Sequence, residues 1–156
     1  MILWPHEPDD GNASMKKALL DTDITSEVIR EKNSTVLSNA NRYLDQYGEF
    51  TFSAVTITEM VQGWHKIQEE RRVQLLLVSM EKSEIIPLGI EEAIVAGRIA
   101  GDLDRNGIPI GNMDPFIAAT AIVHDLSLVT GNTRHFQRVI DLGYPLELQN
   151  WRLPNG

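Results

Sequence analysis

Four polar positions in this chain of 156 residues stand at the ends of apolar runs. Asp21 follows Ala18-Leu19-Leu20, Glu59 lies just beyond Phe50–Val55, and Asn132 follows Leu126–Thr130. Asp114 stands directly before Pro115 and the apolar run Phe116–Val123. Three carboxylates and an amide form an oxygen-only donor set. With no cysteine in the chain and no metal spacing among its four histidines, the divalent ions that suit such donors are Mg²⁺ and Mn²⁺. Gathered without a cation, the carboxylates would repel and raise at least one pKa. With one, they suit phosphoryl chemistry, in which the metal activates a water and neutralises charge on a phosphodiester.

Each residue also has a plainer use. Asp114 before Pro115 fits an N-cap with proline opening a helix. Thr56 with Glu59 three residues on reads as a capping box. Asn132 beside Gly131 fits a turn, and Asp21 or Asp23 could start one. Asp102 and Asp104 with Arg105 read as a solvated face, and His6, His65, His124 and His135 as non-ligands. The chemical reading therefore rests on the set.

Periodicity supplies the elements that must position the set. Strands are expected at Ala18–Leu20, Phe50–Val55, Glu84–Leu88, Leu126–Thr130 and Leu146–Leu148. Between them, a short helix is expected over Ile24–Glu31, and another capped by Ser34 and ended by Gly48. Beyond Thr56 a helix buries Met60, Trp64 and Ile67 on one face, and Val73–Met80 resumes after the polar run Gln68–Arg72. Ile90–Arg105 carries a face of mostly small residues (Ile90, Ala93, Ile94, Gly97, Ala100, Gly101) and should stop at Gly107. The Pro115 helix and a short one around His135–Leu142 complete the series. Alternating strands and helices imply an α/β fold, a three-layer α/β/α sandwich around a mostly parallel sheet. Ligands of such sheets bind beyond the carboxyl ends of the strands, where Asp21, Glu59, Asp114 and Asn132 would converge.

The bulk composition narrows the classes. The length and 42% hydrophobic content fit one domain with a proper core. Residues 1–14 read as a disordered leader or upstream extension, 15–152 as the domain and 153–156 as a tail. No apolar run reaches membrane-spanning length, no secretory signal is visible, and the cytosol is the expected location. A net charge of −8 argues against a large basic nucleic-acid footprint, but not against a nucleic-acid substrate met through metal.

Asp21-Thr22-Asp23-Ile24-Thr25 also matches the DxDxT nucleophile motif of haloacid-dehalogenase-type phosphatases, and Thr130 could pass for their second motif. That scheme needs a later lysine and a pair of acids. No lysine follows Lys82, and Asp141 and Glu147 are the only acids after Thr130, so that scheme fails.

Four segments together resemble a different family. LLDTD at Leu19–Asp23, SAVTITEMVQG at Ser53–Gly63, GIPIGNMDPFIAATA at Gly107–Ala121 and LVTGNTRHFQRV at Leu128–Val139 are similar, in order and spacing, to PIN-domain ribonucleases of the VapC toxin type. A closing Asn150-Trp151 is similar as well. The resemblance implies a metal-dependent endoribonuclease acting on RNA such as tRNA or ribosomal RNA. It implies an acidic site at Asp21, Glu59 and Asp114, with Asn132 fourth and the Thr130 hydroxyl beside it. It further implies Mg²⁺ or Mn²⁺ as cofactor, a homodimer, and a VapB-like antitoxin that blocks the site. Asp23 replaces the more usual asparagine after Asp-Thr, leaving open an extra metal contact. Arg134 and Arg138 are candidate phosphate contacts. Two other readings stay open: an inactive PIN-like protein acting through its partner, and a metal-dependent DNA nuclease.

Overall fold

The computed structural model describes residues 14–156, so the leader expected at residues 1–14 lies, apart from Ser14, outside the described residues. Five strands form one parallel sheet: β1 (Ala18–Leu20), β2 (Thr51–Ser53), β3 (Glu84–Ile86), β4 (Ser127–Val129) and β5 (Leu148–Gln149). Their spatial order is β3-β2-β1-β4-β5, every neighbouring pair parallel. β1, first in sequence, is therefore central. Successive side chains on a strand face opposite ways, so Leu19 enters one apolar cluster and Ala18 and Leu20 the other. All three are fully buried, as expected of a parallel strand covered on both faces.

Among the described residues, seven helices supply the covers: α1 (Thr22–Arg30), α2 (Ser34–Tyr47), α3 (Ala54–Lys66), α4 (Glu70–Met80), α5 (Ile90–Arg105), α6 (Asp114–Val123) and α7 (Thr133–Asp141). One cluster joins Leu19 and Leu128 to residues of α5, α6 and α7, including Ile99, Ile117 and Phe136. The other joins Ala18, Leu20, Phe52 and Val129 to Ile24, Val36, Tyr43 and Trp151. The α/β/α sandwich expected from the alternation is present. A smaller cluster of Met60, Trp64, Val73 and Leu76 fastens α3 to α4.

Local chemistry moved several boundaries. Ser34 is not the cap of α2; Asn33 is, its side-chain oxygen accepting from Thr35 and Val36 N–H at 3.0 and 3.1 Å. Gly48 ends that helix in the left-handed region (φ 77°), as expected. β2 is shorter than Phe50–Val55 because Ser53 already caps α3, accepting from the Thr56 N–H at 3.0 Å. Thr56 and Glu59 therefore form no capping box; Glu59 sits well inside the helix. Ile67 does not join Met60 and Trp64 but is exposed, since α3 has ended at Lys66. The small-residue face of α5 also points out: Ile90 and Ile94 are exposed, and the helix buries Glu92, Ala96, Ile99 and Leu103 instead. The last strand lies at Leu148–Gln149, later than Leu146–Leu148. Beyond β5, the Asn39 amide donates to the Leu153 carbonyl at 2.9 Å.

Candidate active site

Asp21, Thr130, Asn132 and Asp114 are placed by the carboxyl end of a strand or the start of a helix, and Glu59 by the interior of α3. Asp21 leaves β1 and becomes the N-cap of α1, one oxygen (Oδ1) accepting from the Thr22 N–H at 2.7 Å. Its main-chain N–H still donates to the Val129 carbonyl of β4 at 2.9 Å. The other oxygen (Oδ2) accepts from the Thr130 hydroxyl at 2.8 Å. Both oxygens thus have neutral donors, yet the side chain is buried, with 5% of the residue's surface exposed. Burial, with Asp23 next and Asp114 further off adding repulsion, pushes its carboxyl up to about 7.

Glu59 approaches from α3 and accepts the Thr22 hydroxyl on Oε1 at 2.7 Å. Its pKa is raised by burial, then by the charges of Asp114 and Asp23, against the pull of Thr22. Asp114 is not the N-cap expected of it: Met113 holds that position, Asp114 is the first helical residue, and Pro115 follows in the first turn. Its Oδ2 instead folds back onto the Gly111 N–H at 3.2 Å. Across the rim, Oδ2 lies 3.5 Å from His135 Nδ1, and the same ring nitrogen is 2.9 Å from Asn132 Nδ2. The Asn132 N–H donates to the Thr130 hydroxyl oxygen at 3.0 Å. Thr130 therefore links Asp21 to the turn that carries Asn132.

The structure brings Asp21, Thr130 and Asn132 into one hydrogen-bonded chain and ties Glu59 to it through Thr22. Asp114 joins through His135 and through its charge. Among the described residues, no three acidic or histidine side chains close around a common point as a metal cage. The donor set still fits Mg²⁺ or Mn²⁺: it is all oxygen, and Asp21 is buried beside the like charges of Asp23 and Asp114. Mg²⁺ in particular keeps several waters and needs only one or two carboxylates from the protein.

Sequence reasoning passed over three participants. Thr22, inside the Asp-Thr-Asp motif, orients Glu59. His135, set aside as a non-ligand, touches both Asp114 and Asn132; its place three residues after Asn132 on a helix was the available signal. Arg152, from the segment after β5, puts Nη2 3.4 Å from Asp23 and 2.5 Å from Glu27. No periodic pattern marks that residue. Asp23 itself accepts from the Ile24 N–H at 2.7 Å and the Gly131 N–H at 2.9 Å. Of the arginines expected to meet phosphate, Arg138 donates to the Pro109 carbonyl at 2.8 Å, and Arg134 is exposed.

Known proteins are similar to this chain in sequence and fold. The family model of the PIN domain matches residues 18–142. Ribonuclease VapC1 of Rickettsia felis is 36% identical over 125 residues, covering 78% of this chain and 89% of that protein. The tRNA(fMet)-specific endonuclease VapC of Shigella flexneri is 34% identical over 126 residues, covering 80% and 93%. Among solved structures, DNA-bound VapBC from Salmonella typhimurium superposes with a TM-score of 0.73 at 27% identity, over 88% of this chain and 99% of that one. The chain belongs to the PIN-domain family, in its branch of VapC ribonucleases.

Proposed function

We propose that this chain is a metal-dependent endoribonuclease toxin, with tRNA or ribosomal RNA as substrate, silenced by a VapB-like antitoxin. The observation that carries this reading is the hydrogen-bonded chain at the sheet's carboxyl edge, in which Thr130 and Thr22 hold the buried Asp21 and link it to Asn132 and Glu59. Asp114 completes the set through His135 and through its charge on Asp21.

Asp21 and Asp114 would hold a Mg²⁺ or Mn²⁺ ion, with Glu59 binding a second ion or orienting the attacking water. When bound, the ion supplies water activation and charge neutralisation on the phosphodiester. The protein's part is positional. Thr130 fixes the Asp21 carboxylate from below, Thr22 fixes Glu59, and Asn132 offers its amide to the water shell or a phosphate oxygen. The reading includes a homodimer acting in the cytosol, to be checked by light scattering and by fractionation. Among the described residues no helix is long and apolar enough to cross a membrane.

The test is cleavage of RNA and of DNA side by side, by the unaltered chain and by Asp114→Asn. RNA cleavage that EDTA stops, Mn²⁺ restores and Asp114→Asn abolishes is the expected result, with growth arrest on expression following the same pattern. Equal behaviour of the two proteins would point to an inactive binding protein, and cleavage confined to DNA would replace the substrate.

A further inference from the structure

Among the described residues, Arg152 is a cation at the acidic rim whose place is built by the rest of the site. Arg152 reaches it from the segment after β5, and its backbone is anchored on both sides. Trp151 before it is fully buried against Tyr43 and Phe50, with ring centroids 5.5 and 6.2 Å away. The Leu153 carbonyl after it is held by Asn39. The guanidinium is fixed in turn by two carboxylates of α1 set four residues apart, which places both on one helix face. Nε donates to Glu27 Oε1 at 2.7 Å, and Nη2 lies 2.5 Å from the same oxygen and 3.4 Å from Asp23.

The third nitrogen is placed differently. Nη1 lies directly over Gly131: a Cβ built there would stand 2.0 Å from it and 2.8 Å from Asp23 Oδ2. The absence of a side chain at position 131 is what lets the guanidinium lie against the turn between Thr130 and Asn132. Nη1 has no hydrogen-bond acceptor among the described residues, and the Arg152 side chain is 39% exposed. A guanidinium has five donors in a fixed fork. Here part of the fork is spent on holding the group still and the rest faces the rim.

We propose that Arg152 is a substrate-binding residue of this site, gripping an RNA phosphate beside the cleaved bond, with Asp23 and Glu27 as its holders. Asp23 then has a role apart from metal: it fixes Arg152 and clamps the Gly131 turn. The assignment rests on the ribonuclease reading for its ligand. It does not rest on Arg134 or Arg138, of which the first makes no contact with the acids among the described residues and the second is taken up by the Pro109 carbonyl. In a chain of net charge −8, a prepositioned arginine at the acid rim is the feature that lets a polyanion approach.

The experiment is binding of bulk tRNA with Ca²⁺ in place of Mg²⁺, across a range of NaCl concentrations, by the unaltered chain, Arg152→Gln, Arg152→Lys and Gly131→Ala. A lost phosphate contact should weaken binding about tenfold and flatten the plot of log K against log salt by roughly 0.7 to 0.9. Arg152→Lys should recover the slope and only part of the affinity, since an ammonium keeps the charge without the fork. Gly131→Ala leaves the arginine in the chain but displaces it from its seat, and should behave like Arg152→Gln; it decides the matter if the glutamine variant does not fold. In cleavage assays KM should rise more than kcat falls. Unchanged affinity and slope in Arg152→Gln and Gly131→Ala would overturn the proposal and leave Arg152 a counter-ion of α1. Binding without cleavage by the unaltered chain would instead count against the nuclease reading, with Arg152 still judged by its slope. No binding by the unaltered chain would overturn both.

Discussion

At the scale of single residues, Asp21 governs the behaviour of the metal-free protein. Its carboxyl is raised from an ordinary 3.8 to about 7, chiefly by burial. Between those two values the folded chain holds a proton that the unfolded chain has lost, so stability falls as pH rises across that window and levels off above it. The slope approaches about 1.4 kcal/mol per pH unit at its steepest, and the raised Asp23 and Glu59 act in the same direction. Urea denaturation in EDTA at a series of pH values should show the decline, and Asp21→Asn should remove most of it. A flat profile would mean that Asp21 is already charged or already solvated. Thr130→Val keeps the shape of the side chain but takes away the donor to Asp21 Oδ2 and the acceptor of the Asn132 N–H. It should cost about 1 to 3 kcal/mol of stability and lower cleavage while leaving the fold intact by circular dichroism.

Elements show what the sequence made legible and what it hid. Helix existence, strand order along the chain and the parallel sheet follow from apolar spacing, and α5 occupies the residues expected of it, Ile90–Arg105. The acids were legible because each adjoins a strand end or a proline. Caps were less so. Ser34 and Thr56 are capping types, but Asn33 and Ser53, one and three residues earlier, take the helix N–H groups, and composition alone does not choose between neighbouring candidates. The burial of α5 was misread because its small residues mark a face without saying what covers it. Arg152 was hidden altogether, since an irregular segment has no period. Ser53 is the element-scale test: as the cap of α3 it sets the helix that delivers Glu59. Ser53→Ala should cost about 1 kcal/mol, read as a lower midpoint in thermal or urea unfolding, and weaken cleavage through Glu59. An unchanged midpoint would show that the packing of Met60 and Trp64 alone fixes the helix.

On the scale of the whole molecule, parts distant in sequence depend on one another. Trp151 packs against Tyr43 of α2 and against Phe50, just before β2, while its neighbour Arg152 reaches α1. Replacing so large and fully buried a side chain leaves a cavity, and Trp151→Ala should cost about 3 to 5 kcal/mol. If the C-terminal segment is seated by that ring, the variant should also reproduce the weakened salt dependence of Arg152→Gln under conditions where it remains folded. Loss of stability with an unaltered slope would separate the two roles.

The central position of β1 also has a consequence for the cell that makes this protein. A ribosome produces Asp21 early, yet that residue's partner on β4 comes more than a hundred residues later and Arg152 later still. At roughly 5 to 20 residues per second, the gap is on the order of ten seconds. During that time the growing chain carries half of a cutting edge and nothing to align it. Products released early, from broken messages or stalled synthesis, would share that incompleteness. The site is thus complete only once β4 and the segment after β5 have been made.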